Sequence, residues 1–336
     1  MDQSTNGSHS QDRGTVAVTG ATGFVGGHVV RTLLDRGWTV RALSHSKKEI
    51  ADLRDRDREA LTVVVGDVND PDALNELLRG CDAAVHLVGI IREGKGKRFE
   101  TLHVEATRSV IAACKRTGVG RYIHMSALGV SDEARTEYQR TKFKAEGLVR
   151  ASDLDWTIFR PSLIHGPGGE FTQMMAQWSR GEIAPWIGIP YFRRPETEQS
   201  VPLGGVNYID PDVQPIVVTD VANYFADALD RPQTIGEIFN LVGGECLSWP
   251  AMLEYVHDHV PHAKEGVHPL WAPSDIAAMQ AKAAQFVGLG SLLPFDEGMA
   301  TMGGQDSTSS LDKVDAYFDR EPMPFRESFS VYAGKL

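Results

Sequence analysis

Residues 15–26 read TVAVTGATGFVG. A short β-branched run leads into Gly20, Gly23 and Gly26, each three residues apart. An apolar period then follows at Val25, Val29, Val30, Leu33 and Leu34. Spacing of i, i+4, i+5, i+8, i+9 marks one face of an α-helix, so the segment reads as strand, glycine turn and helix. In that context Gly20 permits the tight turn, Gly23 lets the backbone approach a pyrophosphate, and Gly26 allows the helix to pack closely. The first N–H groups of the helix then face the phosphate charge. Gly20, Thr22, Gly23, Phe24, Val25 and Gly26 are therefore expected to hold a dinucleotide; the competing reading is an ordinary glycine-rich turn.

Outward from this unit the same alternation continues. Strand-like runs occur at TVRAL after residue 38, LTVVV at 61–65, AAVHLV at 83–88, RYIHMS at 121–126 and DWTIFRP at 155–161. Helical patterns separate them near 70–78, from about 99 to 117 and over 136–150. Strands apolar on both faces and joined by helix-length crossovers predict an α/β fold, a Rossmann-like doubly wound parallel sheet. Residues 14–164 read as the NAD(P)-binding core. After Pro161 periodicity fades, and residues 165–336 read mainly as a smaller C-terminal substrate-binding portion, with PIVVTDVANYFADAL and EIFNLVGG (215–244) returning to the core. Residues 1–13 read as a disordered tail.

The chain has 336 residues, with 34 Lys and Arg against 45 Asp and Glu, a net charge of −11. That acidity argues against a nucleic-acid binder. Cys81, Cys114 and Cys246 are scattered and odd in number, which suits a reducing compartment better than a disulfide framework. Residues 83–91, AAVHLVGII, are too short to span a bilayer, and the polar start has no secretory or transit pattern. A cytoplasmic protein without a transmembrane segment is expected, with peripheral membrane association through a partner left open.

At the end of the second strand, an acid would bond a ribose 2′-hydroxyl and repel a 2′-phosphate. Ser44 stands there instead, followed by His45, Ser46, Lys47 and Lys48, with Arg41 before it. NADP is favoured over NAD; the bland alternative is that the lysines solvate a helix start. Asp67 and Val68 follow the third strand and are placed to meet the adenine. Val88 and Gly89 at the end of the fourth strand belong near the same cofactor. Tyr138 and Lys142 are four apart, so they share one helix face, twelve residues after Ser126.

With these motifs in view, the chain resembles the short-chain dehydrogenase/reductase superfamily in its extended or atypical branch, the NAD-dependent epimerase/dehydratase-like proteins. TGATGFVG is similar to its nucleotide signature, Asp67 to its adenine contact, YxxxK at 138–142 to its catalytic pair, and FRPSLIHGPG at 159–168, including Pro161, to its stretch after the sixth strand. HLVGIIRE, HVEATRSVIAACKRTGVGRYIHMSALG and EPMPFRESFSVYA are similar to relatives of the nucleotide-binding accessory subunit of respiratory complex I. The resemblance implies an oxidoreductase or epimerase-like enzyme in which Tyr138 passes a proton, Lys142 lowers the phenol's pKa and holds the nicotinamide ribose, and Ser126 polarises a carbonyl while hydride moves at the nicotinamide. It transfers in part: His103 stands where the family has Asn, and Ala127 competes with Ser126 for the Ser position. A non-catalytic NADP(H)-binding accessory or sensing protein is the rival reading, and the partner is then a protein rather than a small-molecule substrate.

Three further signals are read as structural or open. His257, His259, His262 and His268 are spaced wrongly for one helix face and broken by Pro261, so no metal site is expected. EGKGKR at 93–98 reads as a solvated loop or a mobile edge of the site. Trp178, Trp186, Tyr191 and Phe192 read equally as walls of an apolar pocket or as ordinary core.

Overall fold

Strand β1 (Thr15–Thr19) lies inside a seven-stranded sheet whose every pairing is parallel, in the order β12-β6-β5-β4-β1-β2-β3. Its members are β1, β2 (Thr39–Ser44), β3 (Leu61–Val65), β4 (Ala83–His86), β5 (Arg121–Met125), β6 (Asp155–Pro161) and β12 (Glu237–Leu241). The computed structural model describes residues 13–46, 59–94, 96–196, 206–286 and 295–336. Lys47 and Lys48, and residues 1–12 of the expected tail, lie outside the described residues; Arg13 pairs with Asp230 at 2.6 Å.

The register explains the sequence pattern. β1 pairs Val16 with both Val40 and Ala83, and Val16 and Val18 are fully buried on one face while Ala17 is buried on the other. Helix α1 (Phe24–Asp35) presses Val25, Val29, Val30, Leu33 and Leu34 into the first of these layers. Helices α2 (Pro71–Leu78) and α3 (Ala106–Thr117) cover the second, and α4 (Glu137–Arg150) packs beside α3, contributing Val149. A sheet apolar on both sides and covered on both sides is a Rossmann-like α/β fold. Strand order reverses between β1 and β4, the switch point at which such sheets bind ligands beyond their strand ends.

The stretch expected as one helix from 99 is two. A π-helical turn spans Glu100–Glu105 and runs straight into α3. The apolar period misses the change because the π-helical turn continues without a break into α3, yet the wider turn shifts the phase of His103 relative to the α-helical residues after it. Helix α4 starts where Thr136 accepts Gln139 N–H at 3.2 Å, an N-cap that sets the phase of Tyr138 and Lys142.

The rest of the chain builds a second layer. β7 (Ile164–His165) pairs with β11 (Ile216–Val217), and β8 (Gly188–Pro195) lies between β9 (Tyr208–Ile209) and β14 (His268–Pro273). A short antiparallel pair joins β10 (Asp212–Val213) to β13 (Leu247–Ser248). Helices α5 (Glu170–Ser179), α7 (Trp249–His259) and α11 (Phe325–Ala333) share one apolar core. Between them come α6 (Val218–Leu229), which packs against α1, and then α8 (Ser274–Phe286), α9 (Glu297–Gly303) and α10 (Asp312–Tyr317). Val314 and Phe318 return to the core of the large sheet, a second return beyond 215–244. Of the four aromatic candidates, Trp178, Tyr191 and Phe192 are buried and Trp186 is 60% exposed. All three cysteines are free.

Candidate functional site

The glycine turn shows why its residues are glycines. Gly20 has φ +75°, and a Cβ there would sit 3.0 Å from the Leu87 carbonyl carbon. At Gly26 a Cβ would fall 2.0 Å from the Gly20 carbonyl oxygen, so only glycine lets α1 approach the turn. Gly23 N-caps α1 with no side-chain cap, and Thr22 and Gly23 are exposed, leaving the first N–H groups of the helix to an outside acceptor. The Phe24 and Val25 side chains are used differently from the rest of the turn. Phe24 packs beneath Gly166 and Gly169, 3.1 Å from a Cβ at either, and Val25 lies in the core, so both side chains are taken up by packing.

At the end of β2, Ser44 is buried and its hydroxyl accepts Ser46 N–H at 3.3 Å. His45 is exposed and lies 3.7 Å from the Asp67 carboxylate, so the expected ribose and adenine contacts are neighbours. Arg41 does not join them. Its guanidinium reaches the Glu76 and Arg79 carbonyls at 3.2 and 2.6 Å, capping α2 instead of waiting for a phosphate. Val68 is buried among Ala73 and Leu74, Val88 packs on the same core, and Pro161 is buried with its carbonyl taking Leu128 N–H at 2.9 Å.

Lys142 reaches across from α4 to the strand ends. Its Nζ donates to the Met125 carbonyl at 3.0 Å, beside Ser126. A Cβ on the exposed Gly89 would meet the same Nζ at 2.8 Å, so Gly89 and Lys142 form a cradle that any side chain would fill. Ser126 is 3% exposed, and its hydroxyl has no hydrogen-bond partner among the described residues, an orphan that a ligand would satisfy. Ala127, its rival for the Ser position, is buried too. Tyr138 is half-buried, edge-on to His103 at 5.5 Å and to Phe99 at 5.9 Å between ring centroids.

The electrostatics correct one expectation. Burial pushes the Tyr138 phenol up to about 12 rather than letting Lys142 draw it down. Burial likewise lowers the Lys142 ammonium to about 8, against which the Glu146 carboxylate one turn on works upward. With Nζ bonded to Met125, the ammonium is held by a carbonyl rather than by the phenol.

Sequence reasoning missed the layer beneath. His86 Nδ1 meets Thr19 Oγ1 at 2.7 Å and its Nε2 meets Thr107 Oγ1 at 3.3 Å. His124 stacks beside it at 5.5 Å, and burial lowers both imidazoles well below their usual range. Glu146, fully buried, takes a two-pronged ion pair from Arg160 of β6 at 2.5 and 2.7 Å. A histidine inside an apolar strand looks like core, and nothing in the local pattern marks its partners.

Residues 20–181 match the NAD(P)H-binding family model NAD_binding_10. Just under half of the chain is thus similar to NAD(P)H-binding domains. The chain shares its fold with a short-chain dehydrogenase/reductase superfamily protein from Agrobacterium tumefaciens with bound NAD: TM-score 0.63 and 20% identity, with 95% of each chain covered. Ceramide reductase from Caulobacter vibrioides is 36% identical over 156 residues, 46% of this chain and 48% of that one. Mitochondrial NADH dehydrogenase [ubiquinone] 1 alpha subcomplex subunit 9 of Dictyostelium discoideum is 25% identical over 256 residues, 75% of this chain and 66% of that one. The chain thus spans about half the length of the first relative and about two thirds of the second. Among the described residues no helix is long and apolar enough to cross a membrane.

Proposed function

We propose that the protein is an NADP(H)-dependent oxidoreductase or epimerase-like enzyme acting on a small molecule that carries a carbonyl or hydroxyl group. The observation that carries the proposal is the meeting of Lys142 Nζ, the Met125 carbonyl, Gly89 and the unpartnered Ser126 hydroxyl at the strand ends. Gly20, Thr22, Gly23 and Gly26, with the backbone of Phe24 and Val25, take the pyrophosphate; Ser44 and His45 face the 2′-phosphate; Asp67 and Val68 border the adenine; Val88, Gly89, Lys142 and Pro161 hold the nicotinamide half. NADP(H), when bound, supplies hydride exchange. Ser126 donates a hydrogen bond to the substrate oxygen, and Tyr138 Oη gives or takes the proton at that oxygen. Lys142 orients the ribose. Its ammonium favours the phenolate only once a ligand draws Nζ away from Met125. Likeness to a ceramide reductase over 156 residues, 46% of the chain, supports a reductase.

A second reading has its own observation. Likeness to the complex I subunit extends over three quarters of the chain, and a phenol held near 12 suits a protein that keeps NADP(H) as a structural or sensing ligand for a protein partner. Titration with NADPH and NADH, followed by energy transfer from tryptophan to the reduced nicotinamide, tests the cofactor. Tight NADPH with weak NADH is expected. Tyr138→Phe separates the two readings: loss of cellular function with cofactor retained supports the enzyme, and unchanged function with cofactor retained overturns it.

A further inference from the structure

His103 ties together three parts of the site that the sequence separates. Its ring is 1% exposed and is presented by the π-helical turn Glu100–Glu105. Nδ1 lies 2.8 Å from Thr141 Oγ1 on α4, and Nε2 lies 3.2 Å from Ile90 N and 3.1 Å from Ile90 O on the segment leaving β4. Thr141 decides how these contacts are made. Its hydroxyl is 2.8 Å from the Glu137 carbonyl and 3.1 Å from the Tyr138 carbonyl, so its single proton goes to the helix backbone. Thr141 Oγ1 then accepts from His103 Nδ1–H, which leaves Nε2 without a proton to receive Ile90 N–H. A neutral ring agrees with its burial and with the nearby Lys142 ammonium, which together lower its pKa to about 3 although the Ile90 carbonyl beside Nε2 works upward.

One residue before Ile90 is Gly89, where a Cβ would stand 2.8 Å from Lys142 Nζ and 3.5 Å from His103 Nε2. Lysine and imidazole therefore flank one stretch of backbone. We infer that His103 is a positioning residue: by holding the Ile90 N–H from α4 it fixes the Gly89–Ile90 backbone against Lys142, and so sets the edge on which the cofactor's nicotinamide ribose rests. The inference builds on the NADP(H) site of the proposed function and assigns the imidazole no proton transfer.

The test compares His103→Ala and His103→Gln in the full chain. The readouts are NADPH affinity, hydrogen exchange at the Ile90 amide, and nitrogen-15 shifts of the wild-type imidazole. Glutamine carries one donor and one acceptor on a single amide, so it replaces both bonds, whereas alanine replaces neither. Expected are a neutral Nδ1–H imidazole at pH 7, about tenfold weaker NADPH binding and about tenfold faster Ile90 exchange in His103→Ala, and both within about threefold of wild type in His103→Gln. NADPH affinity in His103→Ala equal to wild type overturns the inference while leaving the cofactor site standing. A glutamine variant as weak as the alanine one, or an Nε2–H imidazole, overturns it too. If His103→Ala does not fold, the glutamine variant and the imidazole shifts decide. Wild-type protein that binds no NADPH removes the proposed function itself, and the positioning role with it.

Discussion

Lys142 Nζ donates to the Met125 carbonyl at 3.0 Å, one residue before Ser126. A buried ammonium is thereby tied to the end of β5 by a neutral acceptor, with the Glu146 carboxylate a turn away on the same helix. The bond holds the lysine next to Gly89 and Ser126, and it leaves a charge whose burial is only partly compensated.

That incomplete compensation has a pH signature. The Lys142 ammonium is held near 8, against an ordinary lysine value of 10.5. The unfolded chain binds its proton more tightly, so this group costs stability below pH 8, and the cost is relieved as pH rises from 8 towards 10.5. Between pH 8 and 9.5 the wild type should gain about 2 kcal/mol relative to Lys142→Met. Tyr138 ionises in the unfolded chain only near 10 and does not mask the window. Urea unfolding at both pH values checks this; parallel curves for the two proteins would contradict it.

At acid pH the same sign holds for the same reason. His86, His103 and His165 are buried, and burial holds each near 3 against an ordinary 6.5. The unfolded chain takes up protons that the folded chain refuses, so stability falls as pH drops below 6.5. Each imidazole contributes about 1 kcal/mol of loss between pH 6.5 and 5.5, and His124 adds in the same direction. We expect a combined loss of about 3–4 kcal/mol in denaturant titrations. An unchanged unfolding midpoint over this range would show that the cluster is not buried and neutral.

Much of this architecture was legible because it is written in neighbouring residues. The three glycines and the five apolar positions of α1 lie within 15 residues, and each strand of the sheet carries its own apolar run. Tyr138 and Lys142 were visible because helical spacing brings them to one face. What stayed hidden depends on residues far apart. The π-helical turn changes the phase of His103 without disturbing the apolar period. Thr141 was passed over between its two neighbours, although it is the residue that orients His103. Phe325 and Phe329 complete a core with Trp178 and Tyr191, and a pairing across some 130–150 positions leaves no periodic trace.

Two adjacent glycines of α1 should respond in opposite ways. Gly26→Ala drives a Cβ to 2.0 Å from the Gly20 carbonyl oxygen, and moving that backbone should cost about 3 kcal/mol or more and abolish NADPH binding. Gly27→Ala meets nothing within 4 Å and should stabilise by about 0.5–1 kcal/mol through helix propensity. Thermal unfolding of both variants is sufficient. Equal effects would mean that the turn and helix are not packed as described.

Glu146 and Arg160 make a separate case, since the carboxylate is completely buried and receives both prongs of the guanidinium. Glu146→Gln leaves Arg160 partly buried without its counter-charge and should cost about 3–5 kcal/mol. Replacing both by Met should cost less than either single change, because no charge is then stranded. A double-mutant cycle gives the answer directly, and strict additivity would argue against a coupled pair.

The proposed preference for NADPH rests on Ser44, whose hydroxyl ends β2 and accepts Ser46 N–H at 3.3 Å. A carboxylate at this place would repel a 2′-phosphate and accept from a 2′-hydroxyl. Ser44→Asp should therefore weaken NADPH by about tenfold or more while NADH holds or improves, a reversal worth at least about 1.4 kcal/mol. The nearby Asp67 carboxylate, 3.7 Å from His45, is common to both proteins and cancels in the comparison. Because Ser44 is buried, far-UV circular dichroism of the variant is needed beside the two titrations. A folded Ser44→Asp protein with the wild-type ratio of NADPH to NADH affinity would move the 2′-phosphate contact away from the end of β2, and the preference would then have to come from another part of the turn.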